Sequence, residues 1–175
     1  MDQITKLLRE GDLRTKGRSE DVVKQALKRP ELFKDVVAAI LDDDPGVRMR
    51  AADAAEKISR IHPEWLKPFK KLFLRTISRI DQQEVRWHVA QILPRFELTG
   101  PERRTVVGLM KSFLTDESSI VKTFAMQALA DIAIQDDRYL PEVTKIIDKL
   151  IKNGSPAMKA RGKKLLVKLN KTDER

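Results

Sequence analysis

Cysteine is absent from this chain of 175 residues, which excludes disulfides, Cys-ligated zinc and thiol catalysis. Only two histidines occur, His62 and His88. They are too few for a His-rich metal site, and a two-His, one-carboxylate centre is not expected either. Glycine is sparse, and Gly46, Gly100, Gly108, Gly154 and Gly162 stand isolated, so there is no Gly-rich phosphate loop. No apolar run approaches the roughly 18 residues a membrane span needs. The opening Met1-Asp2-Gln3-Ile4-Thr5-Lys6 lacks the basic stretch and apolar core of a signal peptide. The expectation is a soluble cytoplasmic protein without metal, cofactor or membrane partner.

What is present favours helix. About two-fifths of the chain is apolar, mostly Ala, Val, Ile and Leu, and a profile rich in Ala, Leu, Lys, Arg and Glu favours helix over sheet. The length fits one domain. The formal charge is +9, from 35 basic and 26 acidic residues. Such an excess permits binding to nucleic acid or an acidic partner. It serves equally well to keep outer helix faces solvated.

A repeat organises the chain. Four segments share a polar turn, an apolar anchor and then a base: Asp44-Pro45-Gly46-Val47-Arg48, Gln82-Gln83-Glu84-Val85-Arg86, Ser118-Ser119-Ile120-Val121-Lys122 and Ser155-Pro156-Ala157-Met158-Lys159. The anchors Val47, Val85, Val121 and Met158 recur at intervals of 38, 36 and 37 residues. From each anchor, apolar or small residues continue at helical spacing: Ala51, Ala55 and Ile58; Val89, Leu93 and Phe96; Ala125, Leu129 and Ile132; then Leu165, Leu166 and Leu169, with Gly162 in the +4 place. That spacing makes one stripe on a helix. Pro94 is expected to kink or end the second of these helices early.

Before each anchored helix the sequence predicts another amphipathic one, at about 31–42, 64–80, 101–115 and 138–152. Pro30, Pro63, Pro101 and Pro141 stand at or near their beginnings, where a missing N–H costs little. Asn153-Gly154 is expected to close the last with a left-handed glycine cap. The repeats then run over about 30–61, 62–98, 99–135 and 136–170. Residues 1–29 do not fill the period. They are expected to form a capping unit, with a loop at Gly11–Gly17 and a helix of about 19–29 whose N-cap is Ser19. Residues 171–175 are expected to fray.

Asp44-Pro45-Gly46-Val47-Arg48, followed by Ala51-Ala52 and Ala54-Ala55, resembles the inner-helix start of a HEAT repeat, particularly the short bacterial HEAT-like kind. The resemblance covers about 30–170. Lys replaces Arg in the third and fourth repeats, and the Asp-Pro pair is lost there. It implies an all-α, right-handed α-α superhelix of about four helix pairs in a single domain, an architecture shared by many unrelated binders. It also implies that the second helix of each pair lines a concave side. On those helices position +2 from the anchor points away from the core stripe: Met49, Trp87, Thr123 and Ala160. Position +3 adds Arg50, His88, Phe124 and Arg161; position +6 adds Asp53, Gln91, Gln127 and Lys164. A solvent-facing Trp suggests an interface anchor, so Met49, Arg50, Trp87, His88, Gln91 and Gln127 form the candidate binding face for a protein or peptide. The alternative is that neighbouring helices enclose Trp87.

The basic row Arg48, Arg86, Lys122 and Lys159 either meets acidic or carbonyl groups of adjacent turns, as Asp43 and Asp44 beside Arg48 suggest, or faces phosphates. Residues 143–175 carry ten Lys or Arg against three Asp or Glu, with Lys159, Arg161, Lys163, Lys164 and Lys168 on the last helix. That helix can lie along nucleic acid or simply cap the stack. Catalytic groups are scarce. Ser118-Ser119 fits a turn better than a nucleophile, and Asp42-Asp43-Asp44 and Asp136-Asp137 look like caps rather than acid/base pairs. DNA glycosylases on HEAT-like solenoids exist, but Trp87 with Asp53 or Asp131 only faintly echoes their arrangement, and their motif is not matched residue by residue. The expectation is a non-catalytic scaffold that binds a protein, with sequence-nonspecific DNA or RNA binding as the alternative.

Overall fold

Polar turn residues and prolines set where the helices begin. A computed structural model describes residues 3–10 and 17–173, and among these every regular element is helical. Asp44 caps the longest helix of the first half by accepting from the Gly46 N–H (2.7 Å) and the Val47 N–H (3.3 Å). Thr99 and Glu102 form a reciprocal capping box, and the Ser118 hydroxyl accepts from Val121 N–H. Each device satisfies N–H groups that a helix start leaves without a partner.

The chain packs as two compact units, Met1–Phe96 and Glu97–Arg175. The first holds α1 (Gln3–Arg9), α2 (Ser19–Lys28), α3 (Phe33–Ala39), α4 (Pro45–Ile61), α5 (Lys70–Arg75) and α6 (Gln83–Ile92). Its centre is α4, which packs against α1, α2, α3 and α6. Ala51, Ala52, Ala54 and Ala55 are all buried there, and their small side chains let several helices approach one axis. The second unit holds α7 (Gly100–Phe113), α8 (Ser119–Gln135), α9 (Leu140–Asn153) and α10 (Pro156–Asp173). Here α8 packs against α7, α9 and α10, and α9 against α10. Ala125, Ala128, Ala130 and Ala133 play the part on α8 that the alanines play on α4.

The anchors Val47, Val85, Val121 and Met158 are all buried, each at the start of one of the second helices. Pro94 acts as expected: α6 ends at Ile92, and Leu93–Arg95 continues only as a 3-10 turn. Other expectations are corrected. The helix expected over 31–42 is a 3-10 turn at Pro30–Leu32 followed by the short α3, and Leu41, within the expected span, lies beyond α3 and is exposed. The helix expected over 64–80 breaks into a 3-10 stretch at Pro63–Phe69, α5, and a second 3-10 turn at Ile77–Arg79. Pro68 within it lacks the N–H an α-helix needs. His62 stacks on Trp65 (4.3 Å between ring centroids), and Trp65 and Phe69 both meet Phe33, so aromatic packing holds this stretch where backbone bonding is weak.

Three smaller corrections concern helix ends. Arg18, not Ser19, is the N-cap of α2, and Ser19 is buried with its hydroxyl donating to Asp53 (2.9 Å). Gly154 is extended, with φ −83° and ψ 175°, so it is no left-handed cap. A Cβ there would come within 2.4 Å of the Leu150 carbonyl oxygen, so the turn needs glycine for space. The end of the chain is helical through Asp173, where fraying was expected; 174–175 lie outside the described residues. Most of the loop expected at Gly11–Gly17 also lies outside them. Gly17 is described, and its φ of +49° is the left-handed conformation that favours glycine. Helix α1 had no counterpart in the sequence expectations.

Candidate interaction surfaces

In the first unit, register sets Met49 on α4 and Trp87 on α6 at equivalent positions of adjoining helices. Both are half-buried. The Trp87 ring meets His88 edge-on at 5.7 Å, and Gln91 turns back to donate to the Trp87 carbonyl (3.1 Å). An open cleft of about 210 Å³ lies at the starts of α4 and α6, lined by Pro45, Arg48, Met49, Asp81, Gln82 and Glu84.

Arg50 does not belong to this face. It is 2% exposed, and its guanidinium donates to the Leu8 carbonyl at 2.7 Å. The reason is α1, which covers that side of α4. Gly17 closes over the same group: a Cβ there would sit 2.8 Å from Arg50 Nε. Asp53 is also engaged, accepting from Ser19 and from Lys57 (2.8 Å), and Lys57 pairs with Glu20 as well.

The basic row divides. Arg48 donates to the carbonyls of Asp42 (2.9 Å) and Asp43 (3.0 Å) and to Gln82 Oε1 (2.7 Å), while Gln82 donates to the Pro45 carbonyl. It therefore fastens the turn before α4 to the residue that caps α6. Arg86 pairs with Asp81. Lys122 is half-buried, and Lys159 and Lys164 are exposed.

In the second unit the same ridge positions form a connected polar group. The Arg161 guanidinium lies over the Phe124 ring, 5.8 Å from its centroid, and donates to Gln127 Oε1 (2.9 Å). Gln127 donates in turn to Asp131 (2.8 Å). Thr123, expected to face away from the core, is 8% exposed and donates to the Ser119 carbonyl. Phe124 was legible only as a neighbouring position. Its part as a platform for Arg161 follows from both occupying the +3 place in successive repeats.

Sequence reasoning missed the ion-pair clusters behind these faces. Asp136, expected as a cap, is nearly buried and accepts from Arg103 of α7 (2.9 Å) and twice from Arg138. The Arg138 hydrogen bonds first, then the Arg138 charge and the Arg103 bond, outweigh burial and hold its carboxyl down at about 2. A depressed folded value means stability that is present above the unfolded pKa near 4 and lost as pH falls through 2. Acid titration of helicity should therefore show Asp136→Asn less stable than the parent at pH 5, with the gap closing toward pH 2. A gap unchanged by pH would remove the ion-pair explanation.

Among the described residues no group of three or more His, Asp or Glu is placed to hold a metal ion, and no helix is long and apolar enough to cross a membrane. No protein-family model and no curated protein matches the chain. A solved structure does: the crystal structure of an engineered protein, at 18% identity and a TM-score of 0.57, covering 97% of this chain and 78% of that one. At that identity the likeness speaks for the helical fold alone.

Proposed function

We propose that the chain is a non-catalytic scaffold, an α-solenoid similar to HEAT-repeat proteins, that holds a protein or peptide partner on the ridge of its second helices. The observation that carries this reading is Trp87, half-buried at a position whose register points away from the apolar stripe. A large ring left partly in water is a favoured anchor at protein interfaces, and Met49 one helix earlier adds an adaptable apolar contact. Packed helices would present both in fixed register, so little backbone entropy is lost on binding. Arg48, fixed by two turn carbonyls, frames the ridge and Gln91 lies along it; Arg50 takes no part.

The test has two arms. In a Trp65→Phe background, Trp87 becomes the sole indole, and acrylamide should quench it readily in the free protein. Affinity capture from the native cell after nuclease treatment should retain a protein partner, and Trp87→Ala should weaken that partner by about 30-fold, equivalent to roughly 2 kcal/mol. Thermal stability should change little. A Trp87→Ala protein that melts several degrees lower while still holding the partner would show that the indole is core.

A further inference from the structure

Several of the cations described in this protein are neutralised by ion pairs. Arg9 pairs with Asp42, Arg18 with Glu10 and Asp21, Lys57 with Asp53 and Glu20, Arg60 and Arg95 with Glu56, Arg86 with Asp81, Arg103 and Arg138 with Asp136, and Lys111 with Glu142. Helix α10 carries a row of cations outside these pairs. Arg161, Lys164, Lys168 and Lys171 follow one another at steps of three, four and three residues. Those steps keep them on one face of the helix, over about 15 Å of its length at 1.5 Å per residue. Among the described residues, none of the four forms an ion pair. The only acidic residue of α10 is Asp173, at its end.

One member of the row is pre-oriented. Arg161 is held by the Phe124 ring beneath it and by Gln127 beside it, and Gln127 is held by Asp131. Its hydrogen-bonding partner is a neutral amide, so its charge is positioned without being cancelled. A guanidinium fixed in this way can offer its remaining N–H groups to an oxyanion.

From this placement we infer that the α10 row binds the phosphodiester backbone of nucleic acid without reading its sequence. Lysine is depleted at protein–protein interfaces, where exposed aromatic side chains are enriched. This face has the opposite composition: three exposed lysines, and an aromatic ring covered by Arg161. With Phe124 occupied, no ring is offered for a base to stack on, which leaves phosphate as the group recognised. The surface lies in the second unit and is distinct from the one proposed around Trp87.

The experiment is fluorescence anisotropy of the full chain with a labelled duplex of about 20 base pairs, in two unrelated sequences, at 50, 100 and 200 mM NaCl. Four phosphate contacts predict a slope of log K against log salt near −3.6, hence about 150-fold weaker binding at 200 than at 50 mM. The two sequences should bind alike. The triple variant K164Q/K168Q/K171Q should flatten the slope to about −1 and weaken binding at 50 mM by 100-fold or more. R161Q should remove about one unit of slope, whereas R161K should keep it. Changing the exposed Lys24 and Lys34 to Gln in the first unit should leave the slope alone, and so should Trp87→Ala, which separates this surface from the other. Three results would each overturn the proposal: no binding at 50 mM NaCl, a slope unaffected by the triple variant, or tighter binding of a poly-glutamate peptide than of the duplex. The last would make the row an acidic-protein surface.

Discussion

Replacing Arg95 by Met should destabilise the unit Met1–Phe96 by about 3 kcal/mol at neutral pH, the range found when one partner of a buried ion pair is removed. Arg95 lies in the 3-10 turn after α6 and reaches back to α4. There it donates to the Glu56 carboxylate, the Glu56 carbonyl (2.8 Å) and the Ser59 hydroxyl (2.6 Å). The Glu56 side chain is only 3% exposed, so it cannot recover those bonds from water. Its other partner, Arg60, donates to the same carboxylate but is 64% exposed, so water screens its share; Arg60→Ala should cost less than about 1 kcal/mol. Urea melts read by tryptophan fluorescence suit the measurement, since Trp65 and Trp87 both lie in this unit.

The sign of the pH dependence provides a second check. Burial alone would raise the Glu56 pKa, but hydrogen bonds and charge from Arg60 and Arg95 outweigh it and the carboxyl is held below its ordinary value. The stabilisation is therefore present above the unfolded pKa near 4.3 and lost as pH falls through the lower folded value. The gap between the parent and Arg95→Met should narrow below about pH 4. The double variant Glu56→Met/Arg95→Met should regain most of the loss at pH 7, because apolar replacement of a buried pair is often neutral. If the double variant is as unstable as the single, the defect is lost packing of Arg95 rather than an orphaned carboxylate.

The sequence revealed what has a period and concealed what depends on neighbours distant in the chain. Val47, Val85, Val121 and Met158 could be found because each repeats one requirement, an apolar anchor behind a polar turn, and all four are buried. Arg50 could not be read in that way. Position +3 points out of an isolated α4, but α1 lies over it, and seven residues with no repeat partner gave no sign that a helix would form there. The Arg95–Glu56 bond was hidden for a related reason: its partners are 39 residues apart, about one repeat, and only packing of α6 on α4 brings them together. Trp87 lies between these cases. The ring is half-buried, and how much of it stays wet depends on side chains that no periodic rule specifies.

Phe73→Ala should have a larger effect still, about 4 kcal/mol, because it empties space at the weakest part of the backbone. Helix α5 is only six residues long, flanked by 3-10 turns, so intrahelical bonds alone could not sustain it. What holds the segment is the buried row Leu66, Phe73 and Ile77, each 0% exposed, with Phe73 meeting Phe96 at 5.6 Å. Removing a buried phenyl ring loses its transfer free energy and leaves a cavity, together roughly 3–5 kcal/mol. Segment 63–79 should loosen first, so its amides should lose hydrogen-exchange protection by a larger factor than those of α4. Phe73→Leu keeps most of the volume and should cost only about 1.5 kcal/mol. A loss below about 1 kcal/mol for Phe73→Ala would mean that α5 is held by something other than its apolar row.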